Sequence, residues 1–109
     1  MTMSDLNFYQ TASRDYAKYD VWGDFEYPAL GLTGEAGEVA NKIKKLRRDG
    51  VEWTDIREDM ISELGDVLWY LARIADAFRF SLADVADANL LKLEDRNSRG
   101  VIHGSGDNR

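Results

Sequence analysis

The stretch GLTGEAGEVANKIKKLRR at residues 31–48 decides the fold that this sequence predicts. Its apolar side chains recur at alternating steps of four and three residues, the spacing of a helix that packs along one side within a bundle. Pro28 suits the first turn of such a helix, and Gly50 suits its end. We therefore expect a helix from about residue 28 to residue 48, with an apolar side formed by Leu32, Ala36, Val39, Ile43 and Leu46.

Three glycines interrupt this predicted helix, at positions 31, 34 and 37. Glycine inside a helix costs about 1 kcal/mol relative to alanine. The close approach of another backbone or of a ligand would explain that cost. We therefore expect something to lie against this part of the helix.

Further helices are predicted on both sides of this stretch. A first helix is expected from residue 4 or 5 to about residue 18. A non-helical connector is expected at residues 19–26, held in place by packing of the Trp22 and Phe25 rings. Only one proline occurs in the whole chain, which argues against a strand-rich fold. The fold class predicted here is all-α.

The helix boundaries in the second half of the chain follow from capping patterns. A third helix is expected from residue 54 or 55 to about residue 79, opened by Asp55 and Glu58 as an acidic capping box. A fourth is expected from Ser81, with Asp84 three residues on, through about residue 97. The capping patterns thus predict four helices in all.

Length and composition limit the classes of function. The chain has 109 residues, with 20 acidic and 14 basic side chains and a net charge of −6. We expect a single domain over residues 1–109, ending in a glycine-rich tail at residues 98–109. The acidic charge argues against binding a nucleic-acid polymer. The absence of cysteine excludes thiolate chemistry, and the lack of a long apolar segment argues against a membrane, so a cytoplasmic protein is expected.

Acidic side chains interrupt the apolar sides of the second and third helices. Glu35 and Glu38 form an ExxE motif on the second, and Glu63 and Asp66 form an ExxD motif on the third. Glu63 falls where an apolar residue would pack. Burying a carboxylate costs roughly several kcal/mol of folding free energy unless the carboxylate is paired or bound to a metal. We expect both pairs to face one surface shared by the two helices.

A divalent metal ion is the simplest compensation for four neighbouring carboxylates. Ligands made only of oxygen select Mg²⁺ or Mn²⁺, and Mg²⁺ held in this way keeps positions that substrate phosphates fill. The motifs lack the histidine of a ferritin-like di-iron site. The alternative is that these acids are solvated or form salt bridges with Lys42, Arg73 or Lys92.

Polar residues on the fourth helix complement these acids. Asn89, Lys92 and Arg96 share one edge of that helix, and lysine and arginine both bind phosphate. Arg99 and the loop at residues 100–106 are expected to fold over phosphates with backbone N–H groups. The alternative is an ordinary solvent-exposed edge followed by a flexible end.

These segments together resemble one known family. They are GLTGEAGEVANKIKK at residues 31–45, ELGDVLWYL at 63–71, NLLKLEDR at 89–96 and RGVIHGSGDNR at 99–109. The pattern is similar to the MazG-like branch of the all-α nucleoside triphosphate pyrophosphohydrolases, over about residues 27–109. The ending resembles the short stand-alone members found in bacteria and phages.

The resemblance implies a fold and an activity. The fold would be a MazG-like helical bundle whose four-helix architecture is completed by dimerisation, as a homodimer or homotetramer. The activity would be Mg²⁺-dependent hydrolysis of an NTP or dNTP between its α- and β-phosphates, for nucleotide-pool cleansing or shaping, with Mn²⁺ as a possible substitute. The nucleobase would bind near the first helix and the Trp22 connector.

The resemblance also implies roles for individual residues. Glu38 would take a proton from the attacking water, with Glu35 as its rival, and Lys42 would stabilise the leaving pyrophosphate. The metal ligands would be Glu35, Glu38, Glu63 and Asp66, and the other substrate-binding residues Asn89, Lys92, Arg96 and Arg99.

Two alternative functions remain at this point, and neither is hydrolysis of a nucleoside triphosphate to pyrophosphate. One is a non-catalytic helical module that binds a nucleotide or a partner protein. The other is a different phosphohydrolase, acting on a diphosphate or a dinucleotide. The preferred base and sugar are open in every case.

Overall fold

The computed structural model of the chain describes residues 5–100 and 106. Within that part of the chain, the regular secondary structure is four α-helices and one short 3-10 helix, with no strand. The predicted all-α class is therefore confirmed. The elements are α1 Leu6–Arg14, α2 Glu26–Asp49, the 3-10 turn Trp53–Asp55, α3 Arg57–Ala77 and α4 Leu82–Ser98.

The two long helices, α2 and α3, pack against each other as an antiparallel pair, and α1 packs against both α3 and α4. α2 ends as predicted, because Gly50 adopts the left-handed conformation at φ 68° and its N–H donates to the Leu46 carbonyl. Pro28 lies in the first turn of α2, where a missing N–H removes no helical hydrogen bond. No described helix is long and apolar enough to cross a membrane.

The start of α4 also matches its prediction, but the start of α3 does not. Ser81 Oγ accepts from the Asp84 N–H at 3.0 Å, and the Asp84 carboxylate accepts from the Ser81 N–H at 3.5 Å. The predicted capping box of Asp55 and Glu58 is wrong, since residues 53–55 form the 3-10 turn and Ile56 precedes α3 without a side-chain cap.

α1 is shorter than predicted and ends at Arg14 rather than near residue 18. Asp5 caps its first turn by accepting from the N–H groups of residues 7 and 8. After Arg14 the chain turns, and this turn brings the Tyr19 ring to 4.5 Å from the Tyr27 ring and 6.5 Å from the Trp69 ring. Tertiary packing therefore overrides the local helical pattern here.

The buried core lies where α1, the C-terminal half of α3 and the start of α4 meet. Ala72, Ala75 and Leu82 are buried together, and Tyr9 and Leu68 pack against them. Ile43, from the predicted apolar side of α2, is instead exposed in the single chain, and so are Leu71 on α3 and Phe78 just after it. The α2–α3 pair therefore leaves much apolar surface without a partner within one chain.

A buried polar network ties α1 to α3 and α4. The Asp76 carboxylate accepts from Gln10 Nε2 at 2.9 Å and from Arg14 Nη2 at 2.7 Å, and it lies 2.9 Å from Arg73 Nε. Arg73 in turn donates to the Gln10 carbonyl at 2.6 Å. Gln10 Oε1 accepts from the Leu82 N–H at 2.8 Å. Gln10 thus joins three helices through one side chain.

Candidate active site

Three carboxylates from two helices converge on one face of the α2–α3 pair. Glu35 on α2 and Glu63 and Asp66 on α3 each offer one oxygen, and these oxygens all lie within 4.8 Å of one another. Glu35 and Glu63 are half-buried, and Asp66 is exposed. We call these three residues the acidic triad. It joins one residue of the ExxE motif to both residues of the ExxD motif.

The triad is electrostatically strained when no cation is near. Partial burial, and then the charges of Asp66, Glu63 and Glu38, raise the pKa of the Glu35 carboxyl above its ordinary value. A divalent cation within reach of all three oxygens would remove that repulsion. The arrangement can therefore hold a hard metal ion through oxygen ligands alone.

Glu38 lies outside the triad. It is exposed, and it is not one of the carboxylates whose oxygens come together. Its charge still contributes to the raised pKa of Glu35, which places it in the same neighbourhood. The predicted role of Glu38 as a ligand and as the proton acceptor stays a prediction.

An aromatic cluster adjoins the triad. Tyr70, one turn after Asp66 on α3, lies 6.3 Å from Tyr27 and 5.1 Å from Trp69 between ring centroids. Trp69 Nε1 donates to the Ser13 carbonyl at 3.0 Å, so this ring links α3 to the end of α1. Desolvation raises the pKa of the Tyr19 hydroxyl to about 12. The cluster thus contacts Tyr27 at the start of α2 on one side and the end of α1 on the other.

The Trp22 connector lies next to α1, but its ring faces two cations. Arg14 and Arg79 stand 4.8 Å and 5.2 Å from the centroid of the Trp22 ring. Arg79 also donates to the Trp22 carbonyl at 2.8 Å. These contacts lie beside the buried network around Asp76, which Arg14 shares.

The predicted substrate-binding residues lie in different parts of the structure and have different surroundings. Lys42 Nζ is 3.6 Å from Asp59 Oδ2, so its ion pair crosses to α3 rather than to Glu38. Asn89 and Lys92 line an open groove of about 460 Å³ between α1, α3 and α4, whose other walls are mainly leucine, valine and alanine. Arg96 is buried, and Arg99 bonds to Asp95 at 2.9 Å. The loop at residues 100–106 lies outside the described residues, apart from its two end glycines.

Residues 25–101 match the family model described as the MazG nucleotide pyrophosphohydrolase domain. The chain belongs to this family. MazG-family enzymes generally hydrolyse nucleoside triphosphates and typically depend on a divalent metal, so membership of this family supports a hydrolase. The acidic triad lies within the matched residues.

One relative covers nearly the whole chain. The "Gene 37 protein" of Mycobacterium phage L5 is 47% identical over 112 residues, which span 95% of this chain and 98% of that protein. The name of that protein states no activity. No solved structure matches the chain.

The sequence did not predict the network around Asp76. Its partners Gln10 and Arg14 are more than sixty positions away along the chain, which sequence periodicity does not connect. The signal that was present is local. Arg73 and Asp76 lie one helical turn apart in an otherwise apolar segment at residues 71–77, where two opposite charges at this spacing indicate a buried pair.

Proposed function

We propose that this chain is a Mg²⁺-dependent nucleoside triphosphate pyrophosphohydrolase. It cleaves an NTP or dNTP between the α- and β-phosphates to give the nucleoside monophosphate and pyrophosphate, and so cleanses or shapes a nucleotide pool. One observation carries the proposal: three carboxylates from two helices converge within 4.8 Å, inside the segment that matches the MazG family. We propose one domain over the whole chain for this activity.

The donor set fits magnesium. Carboxylate oxygens are the ligands that Mg²⁺ and Mn²⁺ prefer, whereas zinc and copper favour histidine or cysteine. Glu35, Glu63 and Asp66 would hold the ion, with Glu38 joining them or acting on the water. When bound, the ion supplies charge neutralisation for the triphosphate and lowers the pKa of an attacking water.

The reaction that we propose is a direct displacement by water. The water oxygen bonds to the α-phosphorus, and the bond from that phosphorus to the bridging oxygen breaks. Pyrophosphate leaves, and Glu38 takes the proton of the water, with Glu35 as the alternative acceptor. The charge of Glu38 acts on Glu35, so its carboxylate lies near the triad without belonging to it, and this position supports the role.

The substrate-binding part of the proposal involves Lys42, Asn89, Lys92, Arg96 and Arg99. Their cationic and amide groups suit phosphate oxygens and a sugar hydroxyl. We propose that a second copy of the chain completes the site, as a homodimer or homotetramer. The apolar groove beside Asn89 and Lys92 supports this proposal, because Leu6 and Leu71 in its walls are 40% and 42% exposed in the described part of one chain.

Product-resolved turnover tests the function. A panel of ordinary and modified NTPs and dNTPs is incubated with Mg²⁺, Mn²⁺ or EDTA, and the phosphorus-containing products are separated. We expect monophosphate and pyrophosphate with Mg²⁺, and none with EDTA. Orthophosphate with a diphosphate would contradict the proposed bond cleavage, and nucleotide affinity without any product would favour the non-catalytic module.

A pair of matched variants ties turnover to the triad. Glu63→Gln removes one triad charge and should lower the rate at least about a hundredfold, since a metal ligand is lost. Glu58→Gln makes the same chemical change on the same helix, at a side chain that is 85% exposed and faces Arg57. It should leave the rate unchanged. Equal rates in both variants would remove Glu63 from the active site.

A further inference from the structure

Gly31 differs from the other glycines of α2 in what lies against it. A Cβ added at Gly31 would overlap three atoms of the Tyr70 ring, Cε1, Cζ and Cδ1. At Gly34 and Gly37 an added Cβ would meet no heavy atom within 4 Å. Only one of the three glycines therefore matches the expected close approach, and the group that approaches it is an aromatic side chain.

The Tyr70 contact belongs to a single antiparallel register of α2 and α3. Glu35 faces Asp66 in the acidic triad. Seven residues further along α2, Lys42 faces Asp59, which is seven residues back along α3. Four residues back along α2, Gly31 faces Tyr70, which is four residues forward on α3. The triad thus lies between an ion pair on one side and the ring contact on the other.

Two of these contacts are poor candidates for setting the register. The triad carboxylates repel each other when no cation is bound. The Lys42–Asp59 pair is long, at 3.6 Å, and its side chains are 29% and 60% exposed, so it is screened by water and contributes roughly 0–1 kcal/mol. The ring contact is different, because Tyr70 is half-buried and flanked by Tyr27 and Trp69.

We infer that Gly31 is a positioning residue for the acidic triad, because its bare backbone admits the Tyr70 ring and this contact fixes the register and spacing in which Glu35 faces Glu63 and Asp66. The inference rests on the proposed function, since it concerns how the triad is held for a metal ion. Glu35 lies one helical turn after Gly31, so a displacement of α2 at Gly31 is transmitted directly to it.

A methyl group at position 31 cannot share space with the ring. Either α2 moves away from α3, which separates Glu35 from its partners directly, or Tyr70 leaves its position, which removes the contact that holds the spacing of the two helices. Mg²⁺ demands oxygen ligands at about 2.1 Å from the ion in a near-octahedral geometry. A ligand set that is displaced by a fraction of an ångström therefore binds the ion more weakly.

The test measures Mn²⁺ affinity without nucleotide, by calorimetry and by the electron paramagnetic resonance of free Mn²⁺. We expect Gly31→Ala to bind Mn²⁺ at least about tenfold more weakly than the unmodified chain. Gly34→Ala is the matched control, since it makes the same change in the same helix one residue from Glu35, with open space around the new methyl. It should bind Mn²⁺ as the unmodified chain does.

The test measures Mn²⁺ affinity because a purely structural role of Gly31 would leave that affinity unchanged. If Gly31→Ala only lowered the free energy of unfolding, the folded molecules would bind Mn²⁺ with unchanged affinity, and circular dichroism reports that folded fraction. Tyr70 variants give a second route should Gly31→Ala not fold. Tyr70→Phe keeps the ring and should bind Mn²⁺ normally, whereas Tyr70→Ala removes it and should bind more weakly.

The outcomes separate the inference from the proposed function. Unchanged Mn²⁺ affinity in Gly31→Ala, or equal affinities in Tyr70→Phe and Tyr70→Ala, would overturn the inference and leave the proposed function standing. Failure of the unmodified chain to bind Mn²⁺ would overturn both. In the combined Gly31→Ala and Tyr70→Ala variant, the added methyl should cost nothing further, because the ring that it would strike is gone.

Discussion

Asp76 is a buried carboxylate whose charge is balanced within the chain. Burial by itself would raise its pKa, but hydrogen bonds from Arg14 and Gln10 and the charges of Arg73 and Arg14 outweigh burial, so the pKa of Asp76 lies below its ordinary value. Arg73 has no exposed side-chain surface, and it therefore depends on Asp76 for its countercharge. Removing this one carboxylate leaves a buried cation without compensation.

Asp76→Asn should destabilise the fold by about 3–5 kcal/mol, the usual cost of breaking a buried ion pair from one side. Urea unfolding followed by circular dichroism measures the change. Asp87→Asn on the exposed side of α4 is the control, and it should stay within about 0.5 kcal/mol of the unmodified chain. A loss for Asp76→Asn as small as that of the control would show that the network adds no stability.

The pH dependence of this effect has a definite sign. An acid whose pKa is lowered by folding contributes stability above its unfolded pKa, about 3.9 for aspartate, and loses that contribution as the pH falls through the folded value. The destabilisation caused by Asp76→Asn should therefore be full at pH 7 and smaller near pH 3. A difference that is equally large at both pH values would contradict the charged state assigned to Asp76.

Individual residues were predictable where one helix carried the signal. Glu63 stood out because a carboxylate in an apolar stripe is costly, and the structure places it with Glu35 and Asp66. Glu38 has the same motif spacing but lies outside the triad, since helical periodicity gives a direction and not a distance. The Gln10–Asp76 bond joins positions far apart in the chain, so no local pattern indicates it.

At the scale of elements, the boundaries that were predicted correctly are those with a local chemical cause. Gly50 ends α2 through a left-handed conformation, and Ser81 opens α4 through a reciprocal hydrogen-bond pair. The end of α1 and the start of α3 depend on other parts of the chain. α1 stops where Arg14 reaches Asp76 on α3, and sequence propensity alone does not contain that contact.

Ser81→Ala tests how much the capping box contributes. The substitution leaves the Asp84 N–H without its acceptor, and loss of such a cap costs about 1 kcal/mol. Thermal unfolding should show a lower midpoint for this variant. Ser62→Ala, in the exposed middle of α3, is the matched control and should be neutral or slightly stabilising, because alanine is the better helix former. If the midpoints of both variants match that of the unmodified chain, the capping box is dispensable.

At the scale of the whole molecule, the chain is more open than its length requires. Its radius of gyration is 16.5 Å, whereas a compact domain of this length has about 13 Å. Large apolar side chains are exposed on every long helix, and on α4 the two most exposed are Leu90 at 64% and Leu91 at 68%. Apolar surface of this extent is typical of a chain that buries it against another subunit.

We therefore expect a mass in solution of at least twice that of one chain, measured by light scattering after size exclusion. Replacing both Leu90 and Leu91 by Glu should shift the mass toward a single chain, since two charges would have to be desolvated in an apolar contact. Asn97→Glu adds a charge to the exposed side of the same helix without removing apolar surface, and it should leave the mass unchanged. A single-chain mass for the unmodified protein would show that the exposed leucines have another role and that the active site is complete within one chain.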